Sequence, residues 1–514
     1  MSASLTWRVA LGLLAAAGGF GVAVVAWSEG DVPAAPAGPA APPAYVSAPA
    51  DVLIAVTGRQ NGLMKPCGCS EPQRGGLLRL AALLDAARAT AKASAAVSLG
   101  ETLTDASMPE QNQLKAELFR ASLGAMDFRG MLLSGADLSP FYPALAQPYG
   151  TPAETPRPPL NVRIKPTGIA AASASVDPIL QFEVGGVRVR AVSVVDPTLR
   201  EDLVGMGIAD AVVAPEAALE ALTKEPGVLL VAAHVLRESM ALVVKAAQLA
   251  SDTVIVVDMG GGVAYDRPVS GYGFAKPMLV TFEGHGKAVG LLRLTKSTAK
   301  GGPPWTASYE SVLLDPPFDG SPSKTRPAVQ AIFDAYRQRV RDEKLIEKFG
   351  RFEDGGTKFV GSEACAKCHE AIYEDWKLTP HTHAFETLVD KGVERDPECV
   401  TCHTVGWSRD REKWSRNQSS FFTAEASPKL LGVGCESCHG AGSEHVAWPD
   451  KKELFGAWKA EGKMWKDFGR QGCEKCHDIE NSVNFGKAGA YEKDFRPVVD
   501  HRDVPKQQRT VVPK

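Results

Sequence analysis

The feature that most constrains this chain is a five-residue pattern, Cys-x-x-Cys-His, which occurs four times in the last third of the sequence. The four copies are Cys365–His369, Cys399–His403, Cys435–His439 and Cys473–His477, with inner cysteines Cys368, Cys402, Cys438 and Cys476. Two thiols at this spacing can each form a thioether with a vinyl group of one haem, and the adjacent histidine then lies under the iron as its proximal ligand. The pattern therefore predicts four covalently bound haem c groups.

Zinc is the main alternative for these cysteines, because Cys-x-x-Cys pairs with histidine also form tetrahedral zinc sites. A zinc ribbon needs no histidine directly after each second cysteine, whereas all four copies have one. Disulfides between neighbouring cysteines would leave the four histidines unexplained. Haem attachment is therefore favoured over both alternatives.

Four six-coordinate irons also need four distal ligands. The same region supplies four further histidines, which are His381, His383, His445 and His501. A histidine on each side of the iron gives a low-spin centre that is suited to electron transfer rather than to substrate binding. His381 and His445 are the stronger candidates. His383 lies two residues from His381, so it is either a ligand itself or a support for that neighbour, and His501 belongs to the C-terminal tail.

Two stretches of this region resemble the tetrahaem cytochrome c554 family. The first reads Val360-Gly-Ser-Glu-Ala-Cys-Ala-Lys-Cys-His and is followed by Trp376-Lys-Leu-Thr-Pro-His-Thr-His-Ala-Phe. The second reads Gly432-Val-Gly-Cys-Glu-Ser-Cys-His-Gly and is followed by Gly442-Ser-Glu-His. The resemblance covers about 120 residues, all of them in the C-terminal part of the chain.

The resemblance implies a ligand set. His381 would be the distal ligand of the fourth haem, His445 that of the first and His501 that of the third, whereas the second haem, on His403, would be five-coordinate. The family implies electron transfer between redox partner proteins, and we expect such a carrier rather than an enzyme. The alternative is an oxidoreductase that acts on a small nitrogen compound at the open iron.

The N-terminal end predicts a membrane-linked protein. Residues 9–27 form an apolar run of 19 residues without a charge, which is long enough to span a bilayer. We interpret residues 1–30 as a signal anchor, with a cleaved signal peptide as the alternative, and the Ala/Pro-rich residues 31–50 as a tether. Covalent haem agrees with the periplasmic side of the inner membrane. A net charge of −3 gives no reason to expect nucleic acid.

Residues 51–300 alternate apolar runs with amphipathic stretches, which predicts a layered α/β domain. Strands are expected at 51–57, 94–99, 130–134, 228–233, 253–257 and 277–282, and helices at 77–91, 114–126, 217–223 and 240–249. The alternation at 180–195 around Gly185-Gly186 predicts an antiparallel pair. Residues 301–357 are predicted to be a connector, with a Pro-rich surface loop at 302–323 and a helix at 326–349. Residues 358–514 are predicted to be a mainly helical domain packed around haem.

The start of the α/β domain, Val56-Thr-Gly-Arg-Gln-Asn-Gly followed by Gly75-Gly-Leu-Leu-Arg, resembles the calcineurin-like metallophosphoesterase and 5′-nucleotidase family. That family clamps phosphate with two metal ions held at strand ends. The metal positions read Arg59, Asn61, Glu101, Gly135-Ala136, His234 and Asp258-Met-Gly-Gly in this chain. An arginine repels divalent cations, so the resemblance implies a degenerate domain that keeps the fold and has lost phosphatase activity. A metal-dependent phosphoesterase with unusual ligands is the alternative, and His234 is expected to be an ordinary hydrogen-bonded histidine.

The two remaining cysteines, Cys67 and Cys69, are separated by one glycine. Such a pair does not easily close into a relaxed disulfide, so it could bind a soft metal or take part in redox exchange. The alternative is a loop with two thiols that have no chemical role.

Overall fold

The described residues of the computed structural model are 15–16, 19–20, 48–66, 73–104, 108–138, 157, 160–161, 179–196, 213–259, 278–281, 284–297, 305–348, 350–352, 357–408, 415–417, 419–447, 469–477, 482, 485, 487, 489–499 and 501. Contacts divide the chain into two compact units, Met1–Pro43 and Ala44–Lys514. In the first unit, β1 (Ala15–Ala16) and β2 (Gly19–Phe20) form a short antiparallel pair.

The predicted membrane anchor at 9–27 includes these four residues, and the rest of it lies outside the described residues, as do Cys67 and Cys69. Across the described part of the chain, no helix combines the length and apolar character that a membrane span requires.

Two five-stranded sheets form the centre of the second unit. Their strands are β3 (Ala50–Thr57), β4 (Ala91–Ser98), β5 (Phe128–Met131), β6 (Leu180–Val184), β7 (Val187–Val195), β8 (Glu225–His234), β9 (Ser251–Asp258), β10 (Met278–Val280), β11 (Ala288–Lys296) and β12 (Trp305–Leu313). The first sheet has the order β12-β11-β3-β4-β5, with β3, β4 and β5 parallel. The second has the order β10-β9-β8-β7-β6, with β7 to β10 parallel. Parallel strands whose ends meet at one edge place their following loops side by side.

Helices cover the outer faces of both sheets. They are Leu77–Arg88, Pro109–Ala125, Pro215–Glu220, Met240–Gln248, Arg326–Asp342 and Leu345–Lys348. The inner faces share one apolar core, which includes Ile54 and Leu230. Phe119 and Phe333 pack with the outer face of the first sheet, and Val243 packs with that of the second. The result is an α/β/β/α arrangement, so the predicted layered α/β fold is confirmed.

The hairpin predicted at 180–195 is present as β6 and β7. Its turn residues Gly185 and Gly186 have φ angles of 57° and 78°. A two-residue hairpin turn with both central residues at positive φ favours glycine, because it has no Cβ. The Gly-Gly signal in the sequence therefore has a direct structural cause.

The segment 301–357 differs from its predicted role as a connector. Residues 305–313 form β12, which pairs with β11 at the edge of the first sheet, and Arg326–Asp342 packs against the helices on that sheet. The edge strand alternates half-buried and exposed residues between Pro-rich flanks, so its apolar signal is weak. The predicted helix at 326–349 ends at Asp342, because Lys344 adopts a φ of 51° and a separate turn follows.

The C-terminal region is mainly helical, as predicted. Its helices are Ser362–Ala366, Glu370–Lys377, Ala384–Asp390, Pro397–His403, Cys435–His439, Ser443–Ala447, Gly469–Cys473, the π-helix Tyr491–Phe495 and Arg496–Val499. A small sheet of β13 (Gly350–Phe352), β14 (Trp407–Ser408) and β15 (Ser415–Asn417) lies beside them. The apolar cluster here is small and centres on Phe385, Val400 and Phe421. Four porphyrins would supply much of the missing interior.

Candidate haem-binding site

Each Cys-x-x-Cys-His copy forms or ends a short helical turn. In the first copy the backbone N–H of His369 donates to the carbonyl of Cys365 at 2.9 Å, and in the fourth His477 donates to Cys473 at 2.8 Å. A helical turn places residues three and four positions apart on one face, so both thiols and the imidazole of each copy point the same way. All eight cysteines of the copies are partly exposed and none forms a disulfide. This arrangement suits attachment of one flat group per copy.

Two pairs of histidine rings lie close together. The rings of His369 and His445 have centroids 6.1 Å apart and planes inclined by 17°. The rings of His381 and His477 also have centroids 6.1 Å apart, with planes inclined by 67°. A metal bound at about 2 Å from each of two imidazole nitrogens separates the ring centroids by roughly 6 Å. Each pair joins a motif histidine to one of the spare histidines, so these residues fit a haem iron with two histidine ligands.

The protonation of these rings also suits a metal. Burial, together with nearby His477 and His403, lowers the pKa of His381 to about 4. Burial likewise lowers the pKa of His445, with His369 as a second cause. The neutral imidazole is the form that binds a metal. These histidines are therefore ready to act as ligands at neutral pH.

Two motif histidines are oriented through their second ring nitrogen. Nδ1 of His403 lies 2.6 Å from the carbonyl oxygen of Ala384, to which it donates. Nδ1 of His477 lies 3.1 Å from the hydroxyl of Ser482. A hydrogen bond at Nδ1 fixes the tautomer and leaves Nε2 as the ligand atom. Local structure therefore orients the rings of both motif histidines.

The two remaining spare histidines differ from each other. Nδ1 of His501 lies 3.1 Å from the carboxylate of Asp375, so the tail is tied to the helix that follows the first motif. This carboxylate–histidine pair is the usual outer support of a ligating imidazole. His383 is 58% exposed and its Nδ1 forms an ion pair with Glu386 at 3.0 Å. The geometry favours His501 over His383 as a ligand.

Contacts between cysteines show that three of the four Cys-x-x-Cys-His copies lie close together. The thiols of Cys365 and Cys435 form a hydrogen bond, which lowers the pKa of Cys435 to about 7 and raises that of Cys365. Burial, together with nearby Cys473 and Cys435, raises the pKa of Cys438 to about 11. The third copy thus lies next to both the first and the fourth. Groups attached to these three copies would be close neighbours.

Comparison with known proteins identifies the family of the C-terminal part. The family model for cytochrome c554 and c-prime matches residues 364–440, which contain the first three motifs. Cytochrome c-554 of Nitrosomonas europaea is 31% identical over 169 residues, which cover 67% of that protein and 28% of this chain. This chain belongs to the cytochrome c554 family. It is a multihaem c-type cytochrome that binds haem covalently through its C-terminal part.

Some solved structures resemble a larger share of this cytochrome than the Nitrosomonas protein does, but their sequence identity to it is lower. A 5′-nucleotidase precursor from Thermus thermophilus is 16% identical with a TM-score of 0.39, covering 67% of this chain and 68% of that one. The sulfate thiohydrolase SoxB of Thermus thermophilus is 13% identical with a TM-score of 0.41, covering 57% and 61%.

The α/β part of this cytochrome has a polar cluster where strands β3, β4 and β8 end. Nε of Arg59 lies 3.5 Å from one carboxylate oxygen of Glu101, and Nδ1 of His234 lies 3.1 Å from the other. Nε2 of His234 lies 3.3 Å from the carbonyl oxygen of Leu99. His234 is a buried, hydrogen-bonded histidine, as predicted, and the guanidinium supplies the positive charge that faces Glu101. No group of three or more potential metal-binding side chains occurs among the residues that the structure describes.

Sequence reasoning missed Glu436, which occupies a variable position of the third motif. Its carboxylate is buried and accepts backbone N–H groups of Val360 at 3.0 Å, Gly361 at 2.8 Å and Gly442 at 2.7 Å. These bonds join the approach to the first motif to the loop before His445. Glu436 therefore helps to place both ligands of the first histidine pair. A glutamate inside Cys-x-x-Cys-His carries no sequence signal for this role.

Replacing Glu436 with glutamine is expected to destabilise the cytochrome by about 2 kcal/mol, because the amide group would turn a donor towards backbone donors. The measurement is chemical unfolding followed by haem absorbance. Glu474→Gln is the matched control, since Glu474 holds the same kind of position in the fourth motif but pairs with Arg470 at the surface. Its loss is expected to stay below about 0.5 kcal/mol. Equal losses in the two variants would contradict the role given to Glu436.

Proposed function

We propose that this cytochrome is a tetrahaem electron carrier on the periplasmic side of the inner membrane. Four haem c groups would be attached through Cys365 and Cys368, Cys399 and Cys402, Cys435 and Cys438, and Cys473 and Cys476. A haem held in this way supplies one-electron exchange between its ferric and ferrous states. Covalent haem and the apolar run at 9–27 support the location. The observation that carries the proposal is the pair of histidine couples with centroids 6.1 Å apart.

The proposed ligand set follows these couples for two irons and the family resemblance for the other two. His369 and His445 would hold the first iron, and His477 and His381 would hold the fourth. His439 and His501 would hold the third, with Asp375 orienting the imidazole of His501. His403 would be the single protein ligand of the second iron, oriented by its bond to Ala384.

The same geometry favours a carrier over an enzyme. Histidines on both sides of three of the four irons would leave no open position for substrate there, and only the iron at His403 would keep one. The contact between Cys365 and Cys435 and the proximity of Cys438 to Cys473 bring three attachment sites together. Neighbouring haems at these sites would form a continuous route for electrons to and from redox partner proteins. In the α/β part, the guanidinium of Arg59 beside Glu101 opposes the metal binding that phosphoesterase chemistry needs.

A haem count tests the proposal. The full chain, produced with the haem-ligation machinery, is expected to give four haems per chain in a pyridine haemochrome assay. Dithionite should reduce all four, and a spectrum of the oxidised protein should be dominated by low-spin iron. The same chain produced without the ligation machinery serves as the control and should contain no covalent haem. A count below four, or zinc bound to the motif cysteines of the matured protein, would contradict the proposal.

A further inference from the structure

The helix that carries the second motif begins against the α/β layers. Asp396 caps this helix, Pro397–His403, by accepting the N–H of Glu398 at 3.1 Å. The same carboxylate accepts a hydrogen bond from the side-chain amide of Gln111 at 2.6 Å. That amide also donates to the hydroxyl of Tyr336 at 3.0 Å. Two helices of the α/β layers thus fix the start of the helix that ends in His403.

An ion pair crosses the same boundary. Nζ of Lys115 lies 2.6 Å and 2.5 Å from the two carboxylate oxygens of Glu398. The side chain of Lys115 is only 2% exposed, whereas that of Glu398 is 24% exposed. A lysine buried without a partner costs several kcal/mol, so this contact requires the carboxylate. Lys65, from the same α/β layers, also lies within electrostatic range of Asp396 and Cys399.

The position of Glu398 connects this ion pair to the haem chemistry. Glu398 directly precedes Cys399, so their Cα atoms are about 3.8 Å apart. A negative charge close to a haem favours its ferric state and lowers its reduction potential. The effect is strong where water is excluded, because the effective dielectric constant is low. The buried ammonium group of Lys115, which contacts the carboxylate of Glu398, therefore offsets this lowering of the reduction potential.

We propose that Lys115 is a positioning and tuning residue for the second haem: it raises the reduction potential of that haem by offsetting the charge of Glu398 across the boundary. The inference rests on the proposed attachment of a haem at Cys399, Cys402 and His403. It gives the α/β part a role in electron transfer that needs no metal site. One domain sets the electrostatic environment of a redox centre in the other.

Charge variants of the full holoprotein test this inference by potentiometric titration followed by absorbance. Lys115→Met is expected to lower the potential of the second haem, and Glu398→Gln is expected to raise it. The double variant should return the potential close to the original value, and Lys115→Arg should preserve it. If the pair only held the helix in place, both single variants would loosen the same contact and shift the potential in the same direction.

The titration wave of the second haem is identified by its loss in Cys399→Ser/Cys402→Ser. Arg339→Met is the control, because Arg339 forms an exposed ion pair with Glu117, which lies on the same helix as Lys115. That variant should leave all potentials unchanged. If both Lys115→Met and Glu398→Gln show four titration waves but do not shift the potential of the second haem in opposite directions, this inference is overturned and the proposed function is not. Retention of all four haems in the double cysteine variant would overturn both the haem assignment and the inference.

Discussion

Replacing His445 with alanine is expected to convert one low-spin haem to high spin while the haem count stays at four. The reason is that Cys365, Cys368 and His369 still attach and bind the group, and only the ring 6.1 Å from His369 is lost. An iron that loses one axial imidazole becomes five-coordinate or takes up water. Electron paramagnetic resonance of the oxidised protein should show a new high-spin signal from one of the four irons.

His381→Ala is expected to produce the same change at a different iron, the one bound by His477. The two substitutions should therefore add, and the double variant should contain two additional high-spin irons. His383→Ala is the matched control, because this exposed neighbour pairs with Glu386 and should leave every iron unchanged. A high-spin signal from His383→Ala, together with none from His381→Ala, would reassign the fourth distal ligand.

Local patterns in the sequence predicted much of this molecule. Each Cys-x-x-Cys-His copy indicates haem attachment from five consecutive residues. Apolar runs likewise predicted the positions of strands such as Ala50–Thr57. The proposed distal ligands are different, since His445, whose ring lies next to that of His369, is far away along the chain. The sequence alone showed only that four further histidines are available as ligands. The pairing of His369 with His445 was predicted from the resemblance to a family. Edge strand β12 was missed because exposed and half-buried residues alternate along most of it.

The contact between Lys115 and Glu398 could not be predicted from the sequence. Lys115 lies on an amphipathic helix, where a lysine usually indicates a solvent-facing side. Glu398 follows a helix cap and fits the general preference for acidic residues in a first helical turn. Each residue therefore has an ordinary local explanation. Only the packing of the two parts of the chain shows that they form one buried ion pair.

The variant Cys473→Ser/Cys476→Ser is expected to lose the fourth haem and to lower the pyridine haemochrome yield from four haems per chain to three. The loss should extend to structure, because the ring of His477 packs 5.4 Å from those of both Phe485 and Phe495. Without iron to hold His477 against His381, this aromatic cluster loses its support. Limited proteolysis is expected to cut the chain after residue 477 faster than in the unchanged cytochrome.

Cys67→Ser/Cys69→Ser is the control for this loss, because these thiols belong to none of the four motifs and the variant should keep four haems. The low-spin signal of the first iron should persist in Cys473→Ser/Cys476→Ser, since its ligands His369 and His445 come from other segments. Disappearance of that signal would contradict independent histidine couples. It would mean instead that the haems are required jointly for the C-terminal part to fold.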